Sequence, residues 1–310
     1  MPIKLSGPLT LSDIAAEFGG TKPHDLSDYY RGGGLVPNKN VNSAVPIAGS
    51  NLPISYSQFY GTTKIITLSY TAYGGGGAGG SGFENNGSGA RGGTGRTTGI
   101  MLKTTYDILK AASVTGVPAG VITATNFLLT TAGTRASADG AQGGRSGHFT
   151  NANATAGAAS DFGDGGAAGA RNTAGGQPAW GNWGSGGGGG GGDQGKGANY
   201  FIIFSEGGSD EWGAAGEGGS AASSSTGSID LDVEVDYVVR LGAGGYPAVS
   251  VGNHDGGYGN PGYLSFIVDT VPGQTYTFAP VGTGTNTERY KEHYKGFRLN
   301  RAGVPEFFDV

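Results

Sequence analysis

The sequence predicts a mainly β protein: an antiparallel β-sandwich or jelly-roll-like domain with long glycine-rich loops, preceded by a small N-terminal module of short helices. Three observations support this prediction. Glycine supplies 66 of the 310 residues. Val, Ile, Thr and aromatic residues are gathered in short runs bounded by Gly, Pro and Asn, which is typical of strands. The N-terminal stretch, by contrast, has few glycines. We therefore expect two domains, residues 1–63 and 64–310.

The N-terminal region repeats a pattern that favours helix starts. Three segments, 11–14, 26–29 and 56–59, share one pattern: an apolar residue, a serine, an Asp or Gln, and a large apolar residue. A serine hydroxyl can accept a hydrogen bond from a free backbone N–H at a helix start, so the predicted N-caps are Ser12, Ser27 and Ser57. Glycine follows each segment, as expected at a helix end. Helices this short need partners, so their apolar side chains either form a small cap or bind another protein.

These segments resemble an N-terminal attachment module of tailed-phage structural proteins. The likeness covers about the first 62 residues, in three segments that occur in order: Leu11–Gly20, Leu26–Pro37 and Ile54–Thr62. The resemblance implies a virion component whose N-terminal module binds other virion proteins of the tail or baseplate, in front of a variable distal domain. The candidate attachment residues are Leu11, Ile14, Phe18, Leu26, Tyr29, Tyr30, Phe59 and Tyr60.

The distal region contains several strand-like runs. Residues 64–73 alternate, with Ile66, Leu68, Tyr70 and Ala72 on one face. In the predicted strand 228–240 the clearest part is 228–237, where apolar residues alternate with Asp230, Asp232, Glu234 and Asp236. Alternation of this length indicates one buried and one exposed face, as in an antiparallel sheet. Further strands are predicted at 99–106, 121–130, 200–204, 263–269 and 274–278, and candidate short helices at 107–112 and 114–118.

Glycine-rich stretches separate the predicted strands, at 74–99, 133–197 and 207–227. Glycine backbones can approach one another closely because no Cβ intervenes. The phrases at 72–77 and 271–278 are similar to those of glycine-rich tail and adhesin domains, in some of which the loops pack as polyglycine-type helices and present residues to a receptor. Glycine does not recur strictly every third residue here, so the sequence leaves the packing of these loops open.

Aromatic residues within these loops are the candidate receptor-binding residues, because aromatic rings dominate contact surfaces. They are Trp180, Trp183, Trp212, Tyr246, His254 and Tyr258. The distal partner would be a polysaccharide or protein of the host cell surface. The alternative is that each tryptophan closes the end of the core.

Composition and motifs argue against enzyme, cofactor and nucleic-acid functions. The net charge is −5 without a basic stripe, which disfavours nucleic acid. Cysteine is absent, and the histidines lack the spacing of a metal site. Residues 74–79 match a dinucleotide-binding glycine pattern, but no helix follows. The acidic residues of 230–236 are expected to face solvent, since one strand cannot surround a calcium ion. No catalytic residue, metal or cofactor is predicted.

We therefore expect a non-enzymatic phage virion component, a tail fibre or receptor-binding protein, that forms a homo-oligomer, with a trimer as one option. One alternative is a structural baseplate, collar or head-fibre protein without receptor contact. Another is a polysaccharide-degrading tail spike, because carboxylates of distant strands can meet in space. The sequence shows neither a signal peptide nor a membrane span. The expected location is the virion tail, after synthesis in the host cytoplasm.

Overall fold

The computed structural model describes residues 3–81, 90–113, 122–144, 154–169, 174–185, 216–247 and 255–310. The strands are β1 (Ile66–Tyr73), β2 (Thr98–Leu102), β3 (Ser137–Ala138), β4 (Ser224–Leu231), β5 (Asp236–Leu241), β6 (Tyr263–Val268), β7 (Tyr276–Phe278), β8 (His293–Leu299) and β9 (Pro305–Phe308). The α-helices are α1 (Leu11–Phe18), α2 (Lys103–Ala112) and α3 (Asn286–Arg289). All strand pairs are antiparallel, in sheets of order β4-β1-β6-β7 and β3-β2-β5-β8-β9.

The two sheets pack face to face, which confirms the predicted mainly β, sandwich-like fold. A single hydrophobic cluster contains side chains of both sheets. On β1 the residues alternate as predicted, with Ile66, Leu68, Tyr70 and Ala72 buried. From the facing sheet, Val239 and Phe297 complete the core with no exposed surface. The period of two along these strands is therefore the signal that specifies the sandwich.

Several predicted strand boundaries are wrong. The run 228–240 is two strands, because β4 and β5 are separated by a turn in which Glu234 has a φ of +61°. The predicted strand at 99–106 ends at Leu102, where α2 begins. Within 121–130 the described residues hold a 3-10 helix, Ala124–Asn126, and one bridging residue, Leu129. The predictions at 114–118 and 200–204 lie outside the described residues.

The N-terminal region has a hydrophobic cluster of its own. Helix α1 and the 3-10 helices Leu26–Tyr29 and Tyr56–Phe59 supply buried side chains to it. Its buried members are Ile3, Ile14, Phe18, Tyr29, Val36, Val45 and Phe59. The ring of Phe59 makes edge contacts with Phe18 at 6.3 Å and Tyr29 at 6.4 Å between centroids. The repeated apolar positions thus pack against one another.

The three segments begin two residues earlier than predicted. The N-caps are Thr10, Asp25 and Ser55, not Ser12, Ser27 and Ser57. Each cap forms a reciprocal capping box with the residue three positions later, which is Asp or Gln. The acidic or amide residue of the repeat is therefore the second half of the cap, and the neighbouring serine lies inside the first turn.

The strands continue beyond one end of the sandwich as a bundle of glycine-rich segments. Segment 74–81 leaves β1, 90–97 leads into β2, 139–144 leaves β3, 216–222 leads into β4, 242–246 leaves β5 and 255–262 leads into β6. We call these segments the glycine bundle. Outer segments pack onto it, as shown by hydrogen bonds from Ala158 N to Gly219 O at 3.0 Å and from Gly184 N to Pro261 O at 2.9 Å.

Segment 74–81 lies at the centre of the glycine bundle and is buried throughout. Its N–H groups donate in turn to three neighbouring segments. Residues 75, 78 and 81 donate to 90–97, residues 76 and 79 to 255–262, and residues 77 and 80 to 216–222. This period of three residues per turn is that of a polyglycine II-type helix. Every buried N–H of the segment from 75 to 81 is thereby satisfied, as a buried backbone requires.

The glycine positions of the central segment have no room for side chains, because other segments of the same chain surround them. A Cβ added at Gly76 would lie 2.0 Å from Ser185 O, and one at Gly77 would meet the carbonyl of Gln142 as closely. Outer segments bear larger residues where they face solvent, as at Arg91, Thr94 and Arg96. This difference explains why glycine follows no strict period of three along the chain.

The N-terminal cluster lies at the opposite end of the sandwich. Lys39 Nζ donates to Ile65 O at 2.8 Å and Thr67 Oγ1 at 2.9 Å, next to the start of β1. It also lies 3.6 Å from the carboxylate of Asp269, which follows the last residue of β6. Since β1 ends and β6 begins at the glycine bundle, the molecule has two distinct ends.

Candidate functional site

Two of the predicted receptor-binding residues, Trp180 and Trp183, form a pair beside the glycine bundle. Their rings meet edge to face, with centroids 5.0 Å apart, and both side chains are half-buried. Asn260 fixes this loop by donating to Ala179 O at 2.7 Å and Asn182 O at 3.0 Å. Each tryptophan is therefore partly packed and partly exposed.

Arg289, the last residue of α3, joins the tryptophan pair to the bundle. Its guanidinium lies 5.5 Å from the ring centroid of Trp180, a cation–π distance. It donates to Gly284 O at 3.0 Å and also to Asn260 Oδ1. Desolvation by burial lowers the pKa of Arg289. The arginine is thus a structural link that holds the α3 connection against the tryptophans.

Tyr246 and Tyr258 meet a third ring, Tyr290, which immediately follows α3. Tyr246 contacts Tyr258 and Tyr290 edge to face, each at 5.4 Å, and Tyr258 stacks with Tyr290 at 6.0 Å. We call these three residues the tyrosine cluster. Burial, the hydrogen bond to Tyr246 and nearby charge raise the pKa of Tyr258 to about 12. Tyr246 and Tyr290 remain 50% and 42% exposed, so their rings are open to a ligand.

A pocket of about 630 Å³ lies beside the tyrosine cluster. Its walls include Thr94, Arg96 and Thr97 of the glycine bundle, together with Tyr246 and Tyr290. The pocket thus combines hydroxyl groups, aromatic faces and one exposed cation. That combination suits a polar ligand with a ring or sugar face, rather than a purely apolar one.

A buried ion pair supports this pocket. Arg240 lines it, although only 1% of the residue is exposed. Its Nε donates to Glu292 Oε2 at 3.1 Å, and its Nη2 donates to Glu292 Oε1. Tyr294 also donates its hydroxyl to Glu292, and burial together with that carboxylate raises the pKa of Tyr294. The charge of Arg240 is therefore balanced within the protein, and among the described lining residues Arg96 is the exposed cation.

The predicted attachment residues are only partly accessible. Ile14, Phe18, Tyr29 and Phe59 are buried in the N-terminal cluster, so a partner cannot touch them directly and their role is to hold the shape of the module. The other four predicted residues are half-buried: Leu11, Leu26, Tyr30 and Tyr60. The apolar side chains most exposed on this module are others, namely Leu5, Val41, Ile47, Leu52 and Tyr56.

Sequence reasoning missed Tyr290 and Arg96, and two predicted residues are not among those that the structure describes. Tyr290 sits in the connection between β7 and β8, and its neighbours Tyr246 and Tyr258 are distant in sequence. No local pattern indicates this cluster, since the fold alone assembles it. Trp212 and His254 lie outside the described residues.

The described residues show neither a metal site nor a membrane-spanning helix. No group of three or more His, Asp or Glu side chains in the described ranges could hold a metal ion. None of the helices found in these ranges has the length and apolar character needed to cross a membrane.

No protein-family model matches the chain. Neither a curated protein nor a solved structure matches it.

Proposed function

We propose that this chain is a non-enzymatic component of a phage virion, a tail fibre or receptor-binding protein. Its N-terminal module binds the particle, and its glycine-bundle end contacts the host surface. The observation that carries this proposal is the separation of the two ends. The module packs against the start of β1 and the end of β6, whereas the exposed rings of the tyrosine cluster flank the bundle at the other end.

The glycine bundle is a suitable base for a contact surface. Its hydrogen bonds join segments that are far apart in sequence, such as Gly76 and Asn260 at 2.8 Å. A network of this kind holds each segment from several sides, so loops and side chains at its surface are positioned without a large apolar core. Residues at the ends of such a scaffold can vary while the packing is retained.

Binding to cells tests this proposal. The purified, fluorescently labelled chain is added to a panel of bacterial strains, and bound protein is measured by flow cytometry. We expect binding to at least one strain, and a loss of about tenfold or more in affinity for Tyr246→Ala, which removes an exposed ring at the bundle end.

Tyr56→Ala is the matched control. Tyr56 is 42% exposed and lies on the N-terminal module, so its removal should leave cell binding unchanged. No binding to any strain would favour a structural baseplate, collar or head-fibre role. Release of reducing sugars from the envelope of a bound strain would instead favour a polysaccharide-degrading tail spike.

A further inference from the structure

We infer that the pocket beside the tyrosine cluster binds a carboxylated sugar residue, with Arg96 as the group that recognises the carboxylate. The inference rests on the proposed function, since it names the chemistry of the host ligand. It is carried by the exposed side chain of Arg96, by the exposed rings of Tyr246 and Tyr290 and by the threonines of the pocket lining.

Arg96 provides the charge. Its backbone is fixed in the glycine bundle, because its N donates to Ala243 O at 2.8 Å and its O accepts from Gly75 N at 2.9 Å. Its side chain is exposed, and among the described residues the guanidinium has no hydrogen-bond or ion-pair partner. A planar guanidinium binds a carboxylate through two parallel hydrogen bonds. The backbone of Arg96 is thus anchored, and the residue lines the pocket with an exposed side chain.

Among the described residues, the acidic groups near the pocket are already engaged or lie outside its lining. Asp139 lies outside the lining and accepts a hydrogen bond from Thr97 Oγ1 at 3.4 Å. Glu292 holds Arg240 and Tyr294. Asp255 influences the pKa of Tyr258 but does not line the pocket. The uncompensated charge of the lining is therefore positive, although the whole chain carries a net charge of −5. An anionic group of a ligand is favoured at this point.

The aromatic wall selects a sugar rather than a free anion. The rings of Tyr246 and Tyr290 meet at 70°, so two ring faces of different orientation are offered to a ligand. Sugar C–H faces pack on such rings, and Tyr and Thr hydroxyls form hydrogen bonds with sugar hydroxyls. A pocket of about 630 Å³ lies within the usual size range of small-ligand sites, which suits a short oligosaccharide.

The test uses three acidic oligosaccharides, each beside its neutral methyl ester: a galacturonate trimer, a glucuronate-containing hyaluronan tetrasaccharide and a sialic acid dimer. Binding to the full chain is measured by titration calorimetry. We expect at least one acid to bind about tenfold or more tightly than its ester, as one charge-assisted contact allows. Arg96→Gln should abolish that preference, and Tyr290→Ala should weaken the acid and the ester alike.

Arg301→Gln is the charge-matched control, because Arg301 is exposed and borders a pocket of the N-terminal module. It should leave the preference intact. Circular dichroism of each variant confirms that folding is unchanged. If no acid binds better than its ester, or if the preference persists in Arg96→Gln, the inference is wrong. If cell binding depends on Tyr246 but none of the three acids binds, this inference alone is refuted. If the chain binds neither cells nor any of the acids, the proposed function is refuted too.

Discussion

Replacing Gly76 by alanine should test whether the glycine bundle is a packed structure. The added Cβ would lie 2.0 Å from Ser185 O, far closer than a carbon and a carbonyl oxygen can approach. A shift of about 1 Å is needed to relieve this contact, and overpacking of this kind costs about 1–3 kcal/mol. The same shift disturbs the hydrogen bonds from Gly76 N to Asn260 O and from Gly245 N to Gly76 O, both 2.8 Å.

Each of these hydrogen bonds contributes about 1 kcal/mol net. Alanine also reduces the entropy of the unfolded chain, which offsets about 0.4–1 kcal/mol. We therefore expect Gly76→Ala to lower the free energy of unfolding by about 3 kcal/mol. The assay is urea denaturation followed by tryptophan fluorescence, since Trp180 and Trp183 lie beside the bundle.

Gly273→Ala is the control for the general cost of replacing glycine. Gly273 lies outside the bundle and has a φ of +84°, and a Cβ added there would meet no atom within 4 Å. Only the left-handed backbone opposes alanine at this position, at a cost of about 1–2 kcal/mol. If Gly76→Ala is no less stable than Gly273→Ala, the close packing described for segment 74–81 is wrong.

Further predictions concern the buried ion pair, the N-terminal caps and the response to pH. Glu292→Ala leaves the buried guanidinium of Arg240 unpaired and should lower the free energy of unfolding by about 3–5 kcal/mol. In the same urea assay Lys295→Ala, which removes an exposed ion pair, should cost less than about 1 kcal/mol. Thr10→Ala should cost about 1 kcal/mol and Ser12→Ala much less; equal losses would contradict the observed cap. Burial raises the pKa of Tyr237 to about 12. The buried, protonated tyrosine therefore contributes its full stability below the unfolded pKa of about 10. This contribution is lost as the pH rises from about 10 to 12. The fall in the free energy of unfolding over that pH range should be smaller in Tyr237→Phe. An equal fall in both proteins would refute the raised pKa of Tyr237.

The sandwich could be predicted from the sequence because its signal is local. Ile66, Leu68, Tyr70 and Ala72 recur every second residue, and this period survives in the folded strand. Boundaries failed where a turn preserves the same period. In 228–240 the alternation of apolar and polar residues continues through Glu234, although its φ of +61° belongs to a turn. The alternation of apolar and polar residues indicates which side chains are buried. It does not reveal a turn through which the same alternation continues.

The glycine bundle could not be derived from the sequence, because its partners are distant and chemically alike. Gly76 pairs with Asn260 and Gly77 with Ser220, and nothing in a run of glycines distinguishes these neighbours from others. The helical caps show a milder form of this problem. Thr10 and Ser12 are both capable caps, and only the backbone conformation decides between them.

The candidate site could be predicted only in part, because its residues come from distant parts of the sequence. Aromatic residues in glycine loops pointed to Trp180, Trp183, Tyr246 and Tyr258, and the structure pairs the first two and clusters the last two. Tyr290 joins the cluster only through the path of the β7–β8 connection. Single residues are therefore visible in the sequence, while their association depends on the fold.

In the proposed function, the two ends of the molecule have different partners. Electron cryo-microscopy of the assembled particle that carries this chain tests it most directly. We expect the N-terminal module to contact other virion proteins and the glycine bundle, with the tyrosine cluster on its flank, to project away from the particle. A particle in which the bundle is enclosed by virion proteins and the N-terminal module is free would contradict it.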